Sequence, residues 1–221
     1  MNDDIALEVE RMLKEAWNKF FNDYYNKLTP KFIEQWEIKE KKEAEESHWI
    51  CWNEYDLMFH IGRLFYKILS EKKEEKYSNI QIHFEKNVNV SNFSDYNFEN
   101  RLGELKEKLK MKRGPKIDII IAYENRLDPF LLCAEVKFFH GRPYEDPIEQ
   151  IKRDIEKLKA IRSCNIAEKV VFMLLDDYYF YADKKTSNDI KNKLDEIKIN
   201  DKGITILSGN TEAKLLKGNG V

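Results

Sequence analysis

Apolar residues in this chain recur at three- and four-residue steps up to residue 70 and then, over 80–86, at every second residue. A helical period that gives way to a strand period requires a fold with both element types, helices first. Ile5, Val9, Met12, Leu13, Ala16, Trp17, Phe20, Tyr24 and Leu28 fall on one face of a long first helix, which Thr29-Pro30 stops. A second helix is expected over 31–46, carrying Phe32, Ile33 and Trp36 before it runs out into charged residues. A third, over 54–70, aligns Leu57, Met58, Ile61, Leu64, Phe65, Ile68 and Leu69.

Residues 80–86 alternate as a half-buried strand, 87–98 read as an Asn/Ser-rich loop, and a short charged helix is expected at about 98–111. The breaker Lys112-Arg113-Gly114-Pro115 closes it. Strands follow at 117–122 and 130–138, then a helix over 147–162, a buried strand at 170–175, a helix near 187–197 and a last strand at 204–207. The order predicts an α/β protein with a mixed sheet flanked by helices. Its expected divisions are an N-terminal helical extension (1–46), a core (47–208) with an insertion at about 87–113, and a frayed tail from Gly209 to 221.

At 221 residues, with 42% hydrophobic and 13% aromatic side chains, the chain can bury a core and is not a disordered polymer. No apolar run approaches the ~20 residues of a membrane span. The acidic start Met1-Asn2-Asp3-Asp4 has no signal-peptide pattern, and Cys51, Cys133 and Cys164 suit neither a disulfide framework nor a zinc cluster, so a reducing cytoplasm is the expected setting. The net charge of −2 says nothing of nucleic acid, but residues 101–116 hold seven basic side chains against two acidic ones. Lys106, Lys108, Lys110, Lys112 and Arg113 belong to that segment, which reads either as a phosphate-tracking surface or as an ordinary solvated helix.

The chemistry is expected where polar residues interrupt apolar runs. Asp118 stands inside a strand of isoleucines, and a buried carboxylate needs a partner or a task. Glu135 and Lys137, two apart, share one face of the next strand. Glu54 heads the apolar stripe of the third helix. Cross-strand ion pairs and a favourable helix dipole explain these charges individually. Together, three carboxylates beside a lysine form a hard-oxygen site for Mg²⁺ or Mn²⁺, suited to phosphodiester hydrolysis. His140 and Arg142, just beyond the Glu135 strand, are further candidates for phosphate contacts.

The order Glu54, Ile117-Asp118, Glu135-Val136-Lys137 resembles the PD-(D/E)XK nuclease superfamily, with its restriction-endonuclease-like α-β-β-β-α-β core over residues 54–175. Ile117 stands where the motif has proline. The resemblance implies that Asp118, Glu135 and the Val136 carbonyl hold the metal, that Lys137 holds the attacking water, and that Glu54 binds or positions metal and water. It also implies a polar residue on the following helix, with Gln150 and Asp154 as candidates. The expectation is a Mg²⁺- or Mn²⁺-dependent nuclease, an endonuclease acting on DNA with RNA as the other substrate, and with residues 1–46 as a homodimer interface or substrate arm. The alternatives are a catalytically silent nucleic-acid-binding or scaffold protein with the same fold, and a structural interaction module whose polar residues are all ion-paired.

Overall fold

The computed structural model describes residues 2–23, 53–88, 96–124, 129–139, 145–176 and 184–210. Along them run α1 (Asn2–Asp23), α2 (Glu54–Ser70), β1 (Ile80–Asn87), α3 (Tyr96–Lys108), β2 (Lys116–Tyr123), β3 (Phe130–Phe139), α4 (Pro147–Ser163), β4 (Ala167–Asp176), α5 (Lys184–Asn200) and β5 (Thr205–Asn210). The helix expected over 31–46, and the boundary drawn at residue 46, lie outside the described residues.

The strands form one open mixed sheet in the order β1-β2-β3-β4-β5. β1, β2 and β3 pair antiparallel, whereas β3-β4 and β4-β5 pair parallel. Parallel neighbours need a crossover, and α4 and α5 supply the two. Each face of the sheet is covered. Val9, Leu13 and Trp17 of α1 and Leu57, Ile61 and Phe65 of α2 pack on Ile119, Ile121, Leu132, Ala134 and Val136. On the other face, Leu102 of α3, Ile151, Ile155 and Leu158 of α4, and Ile190 and Leu194 of α5 pack on Ile120, Cys133, Phe172 and Leu174. This double coverage explains why β3 and β4 read as near-continuous apolar runs. α1 is therefore an integral layer of the core, with Ala6, Val9, Leu13 and Ala16 fully buried. Among the described residues no helix is long and apolar enough to cross a membrane.

Local chemistry sets the helix starts that matter for function. Asn53 caps α2, its side-chain oxygen accepting the Asp56 N–H at 3.1 Å. Asp146 caps α4 by accepting the Ile148 N–H at 2.8 Å, with Pro147 in the first turn. Each cap is worth about 1 kcal/mol and fixes where the helix, and any side chain on its early turns, begins.

Two expectations are corrected. Gly209 does not open a frayed tail: it lies in β5, paired with Leu175, and is buried. A side chain there would overlap the Phe21 ring of α1, so the absence of one lets β5 close against that helix. The alternation of β1 also fails at Phe84, which is 40% exposed and lies over Gly62 of α2. The next residue, Glu85, has a left-handed φ of 54°, which turns the pleat.

Gly114 is more than a turn residue. A Cβ at this position would overlap the backbone carbonyl of Val88, where the Val88 N–H donates to the Pro115 carbonyl at 3.0 Å. Backbone cannot swing aside as a flexible side chain can. Gly114→Ala is therefore expected to lower stability by about 1–3 kcal/mol in denaturant unfolding. Gly103→Ala, on α3 with nothing within 4 Å, is the control and should be neutral or stabilising. Equal losses in the two would remove the close approach as the cause.

Candidate functional site

Asp118 occupies the step at which the sheet ladders break on both sides of β2. The β1 pairing runs through Phe84 with Ile119 and resumes at Lys86 with Ile117, omitting Glu85 and Asp118. The β3 pairing ends at Ile119 with Ala134, one step before Asp118 would face Glu135. In place of a backbone acceptor, Asp118 Oδ2 accepts the Val136 N–H at 2.8 Å. A carboxylate thus completes the edge of the ladder, leaving its second oxygen uncommitted to that bond.

Glu135 and Lys137 lie in the β3 row that faces α4, where Cys133 and Phe139 are apolar. Glu135 is 1% exposed. Its Oε2 accepts from Lys157 Nζ of α4 at 2.6 Å, while Oε1 is buried with no hydrogen-bond partner among the described residues. Lys137 Nζ lies 3.2 Å from Glu54 Oε1, 3.2 Å from Asp154 Oδ2 and 3.4 Å from the Val136 carbonyl oxygen. Lys157 Nζ is also 3.5 Å from Asp154 Oδ1 and donates to the Lys116 carbonyl at 3.3 Å. Lys137 therefore joins two layers, with Glu54 arriving from α2 on one side of the sheet and Asp154 from α4 on the other.

The electrostatics of this cluster are lopsided. Burial pushes the Glu135 carboxyl well above the usual range; the Asp118 and Asp154 charges add to this, and Lys157 only partly offsets it. Glu54 is also raised, by burial first, with Lys137 as the opposing influence. Burial alone would loosen the proton on Lys137, but Asp154, Glu54 and Asp118 outweigh it and hold the ammonium firmly charged. Lys157 follows the same logic, with Glu135 as its main stabilising partner. Excess negative charge is thus gathered in a poorly solvated cluster, which is unfavourable unless protons or cations enter.

The structure brings together Glu54, Asp118, Glu135 and Lys137, with the Val136 backbone among them. Asp154 joins them and Gln150 does not: its amide donates to the Glu145 carbonyl at 3.3 Å. The basic segment reaches the cluster at its last residue, Lys116, through the carbonyl that accepts from Lys157. Lys108 donates to Ser163 Oγ at 2.9 Å, at the last residue of α4 and nine positions past Asp154. Lys110, Lys112 and Arg113 are exposed and Lys106 half-buried. His140 and Arg142 lie outside the described residues. Sequence reasoning misses Lys157, although it falls three residues after Asp154 and four before the buried Ile161, on the apolar stripe of α4.

Among the described residues no group of three or more His, Cys, Asp and Glu side chains stands ready to hold a metal ion. Lysines lie against the carboxylate oxygens of Glu54, Glu135 and Asp154. Comparison with protein-family models, curated proteins and solved structures finds no match for this chain.

Proposed function

We propose that the chain is a divalent-metal-dependent nuclease of the PD-(D/E)XK kind, with a restriction-endonuclease-like core and DNA as its favoured substrate. The observation that carries the reading is the convergence of Glu54, Asp118, Glu135 and Lys137 from three separate elements on the break in the β2-β3 ladder. The residues fit a hard cation: the donors are all oxygens, the local charge is negative, and Glu135 Oε1 is buried without a hydrogen-bond partner among the described residues.

Asp118, Glu135 and the Val136 carbonyl would hold Mg²⁺ or Mn²⁺. Bound there, such an ion supplies Lewis acidity toward a phosphate oxygen and lowers the pKa of water. Lys137 holds its proton firmly, so it serves as a donor and fixed charge, orienting the attacking water and stabilising the charge that develops on the phosphate. Glu54, partly exposed and with raised proton affinity, is the side chain suited to take the proton from that water. Attack of the water oxygen on phosphorus breaks one P–O ester bond and leaves a phosphate monoester and a free hydroxyl.

Purified protein is expected to cleave DNA, or RNA if that is the substrate, with Mg²⁺ or Mn²⁺ and not in EDTA. Undiminished cleavage in excess EDTA contradicts the metal-dependent mechanism. One observation favours a second reading, a catalytically silent nucleic-acid-binding or scaffold protein: the site lysines are already engaged with its carboxylates. Metal binding and cleavage both failing would move the assignment there.

A further inference from the structure

The role of Lys157 is not accounted for by the hydrolytic scheme. When all are ionised, Glu54, Asp118, Glu135 and Asp154 face two ammonium groups among the described residues, Lys137 and Lys157, which leaves two formal negative charges uncompensated there, a match for one divalent ion. The closest ammonium–carboxylate approach in this cluster is Lys157 Nζ to Glu135 Oε2 at 2.6 Å, and it falls on the most deeply buried of the four acids. The other oxygen of that carboxylate has no hydrogen-bond partner among the described residues. Lys157 has places to go, because Asp154 Oδ1 at 3.5 Å and the Lys116 carbonyl at 3.3 Å already lie within its reach. Its side chain is 22% exposed, so movement off Glu135 is not blocked by close packing on every side.

We propose that Lys157 is a resident counter-ion of the metal site, neutralising Glu135 in the metal-free protein and competing with the divalent ion for its Oε2. This rests on the reading of the cluster as a divalent-metal centre. The energetic logic is direct: a metal ligand must give up its ammonium partner before or as it binds the ion, so the ion's apparent affinity is reduced by the strength of that pair. Lys157 thus tunes how much free metal the protein requires, and it is a positioning residue, not a catalytic one.

The test is a Mn²⁺ titration followed by thermal melting and calorimetry, without nucleic acid, on wild type and Lys157→Met. The variant should bind Mn²⁺ more tightly, by about tenfold or more, because a competing charge near the ligand oxygen has gone. Affinity equal to or weaker than wild type overturns the proposal, since Lys157 would then support the site instead of contesting it. Lys157→Gln, which keeps a donor for the Lys116 carbonyl, serves if the methionine variant does not fold.

A second arm needs no metal. In EDTA, Lys157→Met should lower the melting temperature in the wild-type background and much less in a Glu135→Gln background. Equal losses in both backgrounds overturn the neutralising role. Coupling in EDTA with no Mn²⁺ binding by any variant overturns the competition and the metal-centre reading together, leaving an ordinary structural ion pair. Tight Mn²⁺ binding with unchanged affinity on removal of Lys157 overturns the proposal alone.

Discussion

Asp118→Asn is expected to lose essentially all metal-dependent cleavage while melting no lower than wild type in EDTA. The two effects separate because Asp118 acts on the fold and on the site through different properties. Its structural bond is the acceptance of the Val136 N–H at 2.8 Å, and an asparagine carbonyl oxygen can accept the same bond. Its charge, by contrast, raises the proton affinity of both Glu135 and Glu54, so in the metal-free protein it is one of several like charges crowded together. An amide relieves that repulsion at nearly constant shape. Wild type should then gain stability as Mn²⁺ is added, by about 2.7 kcal/mol at a hundredfold excess over Kd, and the variant should lose most of that gain. Melting curves in EDTA and across a Mn²⁺ titration measure both effects. A variant clearly less stable in EDTA would make Asp118 a structural charge and deprive the site of its central acid. Asp118 acts on Lys137 through its charge alone, since the ion pairs of that ammonium among the described residues are with Glu54 and Asp154.

Lys137→Ala is expected to reduce the cleavage rate by about 10²–10³ with little change in substrate affinity, the signature of a contact made mainly in the transition state. It should also destabilise the protein, because Asp154 is 8% exposed and would lose an ammonium 3.2 Å away. Breaking a fully buried pair costs about 3–5 kcal/mol, and the 37% exposure of Glu54 places the loss here below that range. The kinetic comparison is therefore made at a temperature where both proteins are folded. Single-turnover rates and equilibrium binding, measured separately, decide the assignment. Equal losses in rate and binding would mean that Lys137 holds substrate and not the water.

The sequence carries the fold because its period changes are clean. The stripe from Leu57 to Leu69 and the one from Ile151 to Ile161 are each long enough to exclude a strand, and the run from Val170 to Leu175 is bounded and rich in apolar residues. Glu135 and Lys137 are legible for the same reason, since two charges in a row that faces α4 stand out against Cys133 and Phe139. What the sequence does not reveal is pairing across distance. The spacing of Lys157 from Asp154 and Ile161 places it beside the apolar stripe of α4, but only the packing of that helix on β3 brings it to Glu135. The role of α1 is hidden in a similar way. An amphipathic helix at the start of a chain reads equally well as an arm or as a layer, and the choice is made by the apolar face of β3 and β4 that it covers. The left-handed turn at Glu85 has no sequence signal at all, because a glutamate gives no warning of positive φ.

Anomalous diffraction from crystals soaked in Mn²⁺ would reveal whether the break in the β2-β3 ladder is the proposed divalent-metal centre. One strong peak is expected, with carboxylate oxygens of Asp118 and Glu135 at ~2.0–2.6 Å and with Lys157 withdrawn from Glu135. A map with no peak there, and Lys157 still seated on Glu135, would contradict it.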